Sequence, residues 1–339
     1  MFDHINNYKL GGDQYLFFDI FYKNATRELI VITPYYITVP IKIICDGQYL
    51  ALKTGFGQNS AYVFTYHLLS DYSQFIDITV EHEDTFAFYR LYNGHNTRRY
   101  KLCHTTLFKD DHYLLNRFIR YYMIQGVEHF YMYYNGKLND LNIPARDNVT
   151  FIEWNYAYYI KPKDGHAQSG QLNHALYKYG KGSAEYMAFN DLDEYMFVPN
   201  SNVINLLNEH AHENVNTYMF LNIWSDTIEI PVDIEAYYDE LKDELMPSSF
   251  VIKNEIYAPS HSSKCIHKSD NIIIIQNIHC GQHYSNPGIV YKDTVDITNI
   301  VNNNILFHFF RWSRPHIDHS HRTREDMGIF DNYSILHIN

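Results

Sequence analysis

The chain has 339 residues, of which 46% are hydrophobic and 19% are charged, a composition that indicates a folded globular protein and excludes a disordered one. Its net charge of −12 argues against a protein that binds the nucleic-acid backbone, because such proteins need a basic surface. The four cysteines are widely spaced and form no C-x-x-C pair, which predicts neither a zinc site nor a disulfide framework. No apolar run is long enough to span a membrane, and the first residues lack the pattern of a signal peptide. We therefore expect a chain without a transmembrane segment, in a reducing, cytoplasmic setting.

The first 99 residues consist of short runs rich in β-branched and aromatic residues, separated by turn residues. Examples are "QYLFFDIFYK", "SAYVFTYHLL" and "TFAFYRLY", none of which has helical periodicity. Such runs are typical of strands in a small β-sandwich or meander. The segment "YNGHNTRR" then supplies turn residues and basic charge. We therefore predict a β-rich accessory domain over residues 1–99.

From residue 100 the pattern changes to strands that alternate with helices. The strand "YKLCHTTLF" is followed by Asp110 and Asp111, either of which can cap a helix. The apolar stripe of that helix falls at Leu115, Phe118, Ile119 and Tyr122. The next strand, "VEHFYMYYN", ends at Asn135.

A second helix is predicted over roughly His166–Tyr179, and the strand "AEYMAFN" follows it. Further helices and strands alternate towards the C-terminus, and the strands are nearly continuous apolar runs. This alternation is typical of an α/β layer. We therefore predict a second domain over residues 100–339, with a mostly parallel sheet flanked by helices.

Three acids in four residues follow the buried strand "AEYMAFN", in "FNDLDEYMF". Asp191 and Asp193 are two residues apart, so in an extended chain both carboxylates face the same side. Two carboxylates that face one way repel each other unless a cation lies between them, and oxygen ligands suit Mg²⁺ or Mn²⁺. The alternative is an acidic surface turn. The apolar runs on both sides favour the metal site, and the end of a strand in an α/β sheet is where ligands bind.

Two blocks of the sequence resemble glycosyltransferase family 92. "TTLFKDDHYLLNRFIRYYMIQGVEHFYMYYN" resembles the opening of the family's catalytic domain, and "QSGQLNHALYKYGKGSAEYMAFNDLDEYMFVP" resembles the segment that ends in its D-x-D metal-binding motif. Two later stretches, "SSKCIHKSDNIIIIQNIHCG" and "ILFHFFRWSRP", are similar to the family more loosely. Together the blocks cover about Tyr100 to Arg324.

The resemblance implies a GT-A fold and an inverting glycosyltransferase that uses a nucleoside-diphosphate sugar, UDP-linked and often carrying galactose, with a divalent metal. Asp191 and Asp193 would hold Mn²⁺ or Mg²⁺ against the diphosphate, and Glu194 would orient Asp193 or contact the donor sugar. A histidine would be the third metal ligand, with His308 the first choice and His279 the second. The alternative for either histidine is a hydrogen-bonded core or surface position.

The resemblance also suggests binding and catalytic residues elsewhere in the chain. The residues expected to contact the donor are Thr105, Thr106, Asn135, Gln168, Gln171, Asn173, Lys264 and Arg311, with Arg314 as a further cation for phosphate. The candidates for the general base that takes the acceptor's proton are Asp226 and Glu229, just past the strand "TYMFLNIW". Each of these residues also has an ordinary alternative as a strand-end cap, a solvated helix face or surface charge.

The resulting prediction is a metal-dependent hexosyltransferase that acts on a glycan or glycoprotein acceptor. Family relatives usually carry a membrane anchor, whereas this chain predicts none, so we expect it in the cytoplasm or, if viral, in a virion or viral factory. Two alternatives remain at this point. One is a sugar nucleotidyltransferase, although no Gly-rich phosphate loop precedes a helix. The other is a structural or virion protein with a degenerate transferase domain.

Overall fold

The computed structural model describes most of the chain up to residue 275 and five short strands beyond it. The described residues are 2–3, 5–57, 61–72, 74–93, 99–141, 143, 145–158, 166–198, 201–211, 215–227, 250–256, 263–275, 282–283, 286–287, 289–291, 299–300 and 305–308. Only the backbone is described for residues 2, 221–227 and 250–256 and for the strands after residue 275. No helix in these ranges has both the length and the apolar character needed to cross a membrane.

The N-terminal region is built almost entirely of strands, as predicted. In chain order they are β1 (Phe2–Asp3), β2 (Tyr8–Gly11), β3 (Gln14–Phe17), β4 (Asp19–Lys23), β5 (Glu28–Thr33), β6 (Lys42–Cys45), β7 (Gln48–Tyr49), β8 (Leu52–Gly57), β9 (Tyr62–His67), β10 (Phe75–His82) and β11 (Thr85–Tyr92). They form two four-stranded antiparallel sheets, β4-β5-β9-β8 and β11-β10-β6-β7, and the hairpin β2-β3.

The two four-stranded sheets share one hydrophobic core. Alternate residues of β10, among them Ile76, Ile78 and Val80, are buried against residues of β5 such as Leu29 and Val31. The period of two gives the sheet β11-β10-β6-β7 one buried and one exposed face, whereas the sheet β4-β5-β9-β8 is buried on both faces because Ile30, Ile32 and Val63 belong to a second core.

The second region alternates strands and helices at first and then continues mainly as strands. Its elements are β12 (Tyr100–Phe108), α1 (Leu115–Ile124), β13 (His129–Tyr134), β14 (Val149–Glu153), α2 (His166–Ala175), β15 (Ala184–Phe189), β16 (Glu194–Phe197), α3 (Val203–Glu209), β17 (Thr217–Thr227), β18 (Phe250–Ile256), β19 (Lys264–Lys268), β20 (Ile272–Ile275), β21 (Gln282–His283), β22 (Asn286–Pro287), β23 (Ile289–Tyr291), β24 (Asn299–Ile300) and β25 (Ile305–His308). The predicted second helix is α2, which continues as a single π-helical turn over Leu176–Gly180. Short 3₁₀ turns occupy Asn24–Thr26, His112–Leu114, Leu138–Asp140 and Ser269–Asn271.

The large sheet has a parallel half, from β1 to β15, and a mixed half beyond it, in which β17 pairs in parallel with β25 and β24 and the other pairs are antiparallel; this corrects the prediction of a mostly parallel sheet. Its order is β1-β14-β13-β12-β15-β19-β17-β25-β16, and β18 and β24 also pair with β17. The strands from β1 to β15 pair in parallel, whereas β19 pairs antiparallel with both of its neighbours. β18 and β19 both pair antiparallel with β17, one after the other along its length.

Each face of the parallel half has its own core because side chains alternate along its strands. One face packs Leu102, Phe130 and Met132 against α1, including the predicted stripe residues Phe118 and Tyr122. The prediction that an aspartate caps α1 was wrong. A 3₁₀ turn precedes the helix, and the carboxylate of Asp111 accepts a hydrogen bond from the N–H of Lys109.

The other face of the parallel half packs against α2 and, beyond it, against the N-terminal sheets. Phe18 and Ile32 belong to the same core as Trp154 and Leu172. A Cβ atom at Gly170 of α2 would lie 2.5 Å from the ring of Phe18, so only glycine permits this close approach. The accessory region therefore contacts the helix that leads to the acidic turn.

One cysteine departs from the expectation of no disulfide. Cys265, the residue after Lys264 in β19, is disulfide-bonded, whereas Cys45 and Cys103 are buried free thiols.

Candidate active site

The acidic turn lies in the middle of the large sheet. It follows the carboxyl end of β15, whose neighbours are β12 and β19, and it leads directly into β16. The side chain of Asp191 is 36% exposed, whereas Asp193 and Glu194 are buried. The apolar residues on both sides belong to the core and anchor the turn, so one carboxylate faces solvent from a fixed position.

Asn190 holds the turn in place through its side-chain amide. Its Nδ2 donates to the carbonyl of Glu194 at 2.8 Å and to the Tyr122 hydroxyl at 2.9 Å, which fixes Oδ1 as the acceptor. Burial lowers the pKa of His104 to about 4, so the imidazole is neutral and its Nε2–H donates to that Oδ1 at 2.7 Å. The carboxylate of Glu194 closes the turn by accepting the N–H of Asp191 at 2.8 Å. Glu194 thus positions Asp191, whereas the sequence predicted that it orients Asp193 or contacts the donor sugar.

Lys264 is the buried cation of the site. Its Nζ lies 3.0 Å from Oδ2 of Asp191 and 3.3 Å from Oε2 of Glu194. Burial alone would lower the pKa of Lys264, but the carboxylates of Asp191 and then Glu194 raise it above its usual value. The ammonium therefore stays charged in the site. Lys264 was predicted from the sequence as a donor contact, and that role stays a prediction.

The three polar residues predicted on the second helix have different partners. Gln168 donates to Oδ1 of Asp191 at 3.3 Å and accepts from the Tyr158 hydroxyl at 2.6 Å. Gln171 donates to Oγ1 of Thr105 at 2.7 Å, and its Oε1 is buried without a hydrogen-bond partner among the described residues. Asn173 bonds both to the N–H and to the carbonyl of Ile275, so it fastens β20 to α2. Of the three, Gln168 alone contacts the acidic turn directly in the part of the chain described.

The predicted strand-end residues lie deeper than expected. Thr105 and Thr106 are buried within β12, which continues to Phe108, and the Thr105 hydroxyl donates to the Tyr131 carbonyl at 3.0 Å. The Oγ1 of Thr106 has no hydrogen-bond partner among the described residues. Asn135 directly follows β13, and its amide donates to the carbonyls of Trp154 and Tyr156 at 2.8 Å. Thr105 and Asn135 thus fasten neighbouring segments of the sheet to each other.

Asp111 is an acid of the site that the sequence analysis treated only as a possible helix cap. It is half-buried, and burial followed by the nearby Asp193 carboxylate raises the pKa of Asp111 to about 7. Asp191 contributes in the same direction. The sequence shows only that Asp110 and Asp111 follow a strand; the pairing of that strand with β15 places Asp111 near the D-x-D turn.

A family comparison identifies the second region of the chain. The family model described as Glycosyltransferase family 92 matches residues 98–339, which is more than half of the chain. The chain belongs to glycosyltransferase family 92. No curated protein matches the chain. Membership of the family supports a glycosyltransferase with a sugar donor and an acceptor.

The remaining predicted residues of this glycosyltransferase lie where only backbone is described or outside the described residues. His308 is the last residue of β25 and lies directly opposite Glu194 in the antiparallel pair β16-β25. Asp226 lies within β17, which ends at Thr227, so the predicted end of that strand at Trp224 was too early. Four residues fall outside the described ranges, namely Glu229, His279, Arg311 and Arg314.

Within the described residues, no group of three or more His, Cys, Asp or Glu side chains is arranged to hold a metal ion. The donor set nevertheless fits a hard divalent cation. Burial is the main cause of the raised pKa of Asp111, and the nearby Asp193 carboxylate adds to it; carboxylate oxygens are donors that suit Mg²⁺ or Mn²⁺. The residues that could hold such an ion are Asp191 and Asp193, with Asp111 beside them.

Proposed function

We propose that this protein is a metal-dependent hexosyltransferase. It transfers a sugar, with galactose the first candidate, from a UDP-linked donor to a glycan or protein-linked acceptor with inversion. The observation that carries the proposal is the acidic turn itself. Asp191 is partly exposed at the end of a central strand, fixed by Glu194, Lys264 and Gln168, in a chain of glycosyltransferase family 92.

Asp191 and Asp193 would bind the Mn²⁺ or Mg²⁺ ion, with a histidine as a further ligand. His308 is the first candidate because its backbone lies opposite Glu194, and His279 is the second. When bound, the cation would neutralise charge on the diphosphate as it leaves. The residues of the chain do the remaining work of holding and orienting the donor.

Lys264 supplies positive charge in the same place. Its ammonium offsets the buried Glu194 carboxylate and one oxygen of Asp191, so the turn carries less net repulsion towards an anionic donor. We propose that Lys264, together with Arg311, contacts the diphosphate. Gln168 is the helix residue that we assign to the donor, because it already contacts Asp191. Thr105, Thr106, Asn135, Gln171 and Asn173 then shape the pocket around it.

An inverting transfer requires a base that removes the proton of the acceptor hydroxyl. Asp226 and Glu229 are the candidates. Glu194 is a weaker choice for a catalytic role than its sequence position suggested. Its carboxylate is buried and bonded to the N–H of Asp191 and to Lys264, which is the environment of a positioning group.

The test is to incubate the full chain and Mn²⁺ with a panel of sugar nucleotides and to measure release of the nucleoside diphosphate. We expect release from a UDP-sugar and a loss of at least a hundredfold in Asp191→Asn and in Asp193→Asn. Asp71→Asn is the matched control, since Asp71 is an exposed aspartate paired with Arg27 in the accessory region. No release from any donor, or equal release by Asp191→Asn, would overturn the proposal. Release of pyrophosphate from a nucleoside triphosphate and a sugar phosphate would instead indicate a nucleotidyltransferase.

A further inference from the structure

The solvent face of the accessory sheet β11-β10-β6-β7 carries an unusual row of exposed rings. Phe86, Phe88 and Tyr92 alternate along β11 and are 57%, 80% and 70% exposed. Phe75 on β10 and Tyr49 on β7 add two further exposed rings on the same face. Burial of such rings would stabilise a folded protein, so a cluster of them on one face indicates a binding surface. We call this surface the aromatic face.

The strand register arranges these rings in rows with polar groups between them. Across β11 and β10, Tyr92 lies opposite Phe75, Arg90 opposite Asp77, Phe88 opposite Thr79, and Phe86 opposite Glu81. Side chains directly opposite each other on one face of a sheet are in contact distance. One row therefore pairs two rings, the next pairs Arg90 with Asp77, and the remaining two each place a ring beside a polar side chain.

The charged groups of the aromatic face are fixed and paired. Arg90 donates to both carboxylate oxygens of Asp77, at 2.8 and 2.7 Å, and its guanidinium lies 4.4 Å from the centre of the Phe75 ring. Lys42 pairs with Glu81 at 2.6 Å, and the Tyr49 hydroxyl donates to the same carboxylate at 2.5 Å. Within each pair the positive and the negative charge cancel. The pairs therefore offer hydrogen-bond donors and acceptors without a net positive field.

A shallow hollow of about 490 Å³ lies on this face and shows the same mixture. Its walls include Ile44, Thr79 and Phe88 on one side, and Asp46, Asp77 and Arg90 on the other. The hollow is large enough for a small ligand. Its lining combines apolar surface with several fixed hydrogen-bonding groups.

We propose that the aromatic face binds a neutral oligosaccharide. Sugar rings have apolar C–H faces that stack on aromatic rings, and hydroxyl edges that donate hydrogen bonds to carboxylates and accept them from Arg and Lys side chains. A polyanion such as nucleic acid or an anionic glycan would require an excess of basic residues, whereas the acids here match or exceed the cations. Phe86 and Tyr92 are six residues apart, which spans about 20 Å of strand and suits a chain of sugars.

This inference deepens the proposed function and rests on it for one point only, the identity of the oligosaccharide as acceptor. The accessory region would hold the acceptor chain while the acidic turn holds the donor. Binding of a neutral oligosaccharide on the aromatic face does not itself need the metal, the donor or the acidic turn. The two proposals can therefore fail independently.

The experiment measures binding of the full chain to immobilised neutral oligosaccharides, with β-linked glucan, galactan, mannan and chitin fragments as probes and sialylated and sulfated glycans as the anionic set. EDTA is present and donor is absent, so that the metal site does not contribute. We expect retention on at least one neutral probe and a loss of at least tenfold in Phe88→Ala/Tyr92→Ala. Arg90→Met, which leaves every ring in place and removes the guanidinium that pairs with Asp77 and lies over Phe75, should also weaken binding. Met123→Ala is the control, because Met123 is an exposed apolar residue of α1 in the other region.

Several results would overturn the inference. They are no retention on any neutral probe, equal retention by the Phe88→Ala/Tyr92→Ala variant, or retention on anionic probes alone. A dimer of the unsubstituted chain that dissociates in this variant, without glycan binding, would show instead that the face joins two copies. Asp191→Asn should keep full oligosaccharide binding whether or not it transfers sugar. Failure of the transferase proposal is thereby told apart from failure of this one.

Discussion

The ammonium of Lys264 lies 3.0 Å from the carboxylate of Asp191, and only 2% of the lysine side chain is exposed. It also contacts Glu194, which is buried and holds the N–H of Asp191. One lysine from β19 thus fixes two acids of a turn that precedes it by more than seventy residues. The charge balance of the site depends on this contact.

Lys264→Met should therefore destabilise the protein strongly. The substitution leaves the Glu194 carboxylate buried without its ammonium, and loss of one partner of a buried pair costs about 3–5 kcal/mol. The double variant Lys264→Met/Glu194→Gln removes both charges and should regain most of the lost free energy of unfolding. It should not regain affinity for UDP with Mn²⁺. Urea unfolding and UDP titration measure the two quantities, and a single variant within 1 kcal/mol of the unsubstituted chain contradicts the expectation.

Asp111→Asn should raise the stability of the protein and weaken its binding of the metal ion. The raised pKa of Asp111 means that its ionisation is unfavourable in the folded protein, so stability falls as the pH rises from about 4 towards 7 and stays lower above it. Removing that charge should stabilise the protein at pH 8 by on the order of 2 kcal/mol, discounted for solvent screening. If Asp111 lies beside the cation, Mn²⁺ affinity should fall by about tenfold at the same time.

The control for Asp111→Asn is Asp110→Asn, which makes the same change of charge at the neighbouring exposed residue. Asp110→Asn should alter neither the stability at pH 8 nor the affinity for Mn²⁺. Thermal unfolding and titration with Mn²⁺, followed by the paramagnetic signal of the free ion, provide the measurements. Unchanged Mn²⁺ affinity in Asp111→Asn would place Asp111 outside the metal's surroundings.

A buried network ties the accessory region to α2, and Asp19 lies at its centre. Its Oδ2 accepts from Nε2–H of His174 at 2.7 Å and from Lys178 at 3.1 Å, and His174 in turn accepts from the Tyr133 hydroxyl. Burial alone would raise the pKa of Asp19, but Lys178 and His174 hold it below its usual value. Asp19→Ala should cost about 3–5 kcal/mol of unfolding free energy.

The matched control for this network is Asp71→Ala, which breaks the Arg27–Asp71 pair on the surface of the same region. The side chains of Arg27 and Asp71 are both about 60% exposed. The loss of unfolding free energy in Asp71→Ala should therefore stay below about 1 kcal/mol. Hydrogen exchange should show faster exchange in α2 for Asp19→Ala and no change for Asp71→Ala. Equal effects of the two substitutions would mean that the network carries no linkage between accessory region and helix.

Local patterns in the sequence predicted most of what lies within one element or one turn. The apolar stripe of α1, the strand β15 and the acidic turn after it, and the β-rich texture of the first region were all readable from periodicity and turn residues. The mixed half of the sheet was not, because strand direction after β15 depends on pairings between segments that are far apart in the chain. No residue pattern near β19 shows that its first residue meets Asp191.

The same limit explains the individual site residues. Thr105 and Asn135 were placed correctly near strands, but their hydrogen bonds go to the backbone of neighbouring strands and could not be foreseen without the register. Asp111 gained its role from proximity to Asp193, which the parallel pairing of β12 with β15 creates. Electrostatic coupling between strands is thus a property of topology, and the sequence shows only the residue types.

The buried position of His267 leads to a prediction of how the free energy of unfolding depends on pH. It is buried on β19, its Nδ1 lies 3.0 Å from Oγ1 of Thr217, and burial lowers its pKa to about 3. Between that value and the usual pKa near 6.5, the unfolded chain binds a proton that the folded protein does not accept. His267 therefore destabilises the protein as the pH falls below 6.5, by about 1.4 kcal/mol between pH 7.5 and 5.5.

His267→Gln should remove this part of the pH dependence, and the exposed control His67→Gln should leave it in place. Urea unfolding at the two pH values measures the difference, and parallel losses in His267→Gln and the unsubstituted chain would show that the buried imidazole takes up its proton without unfolding.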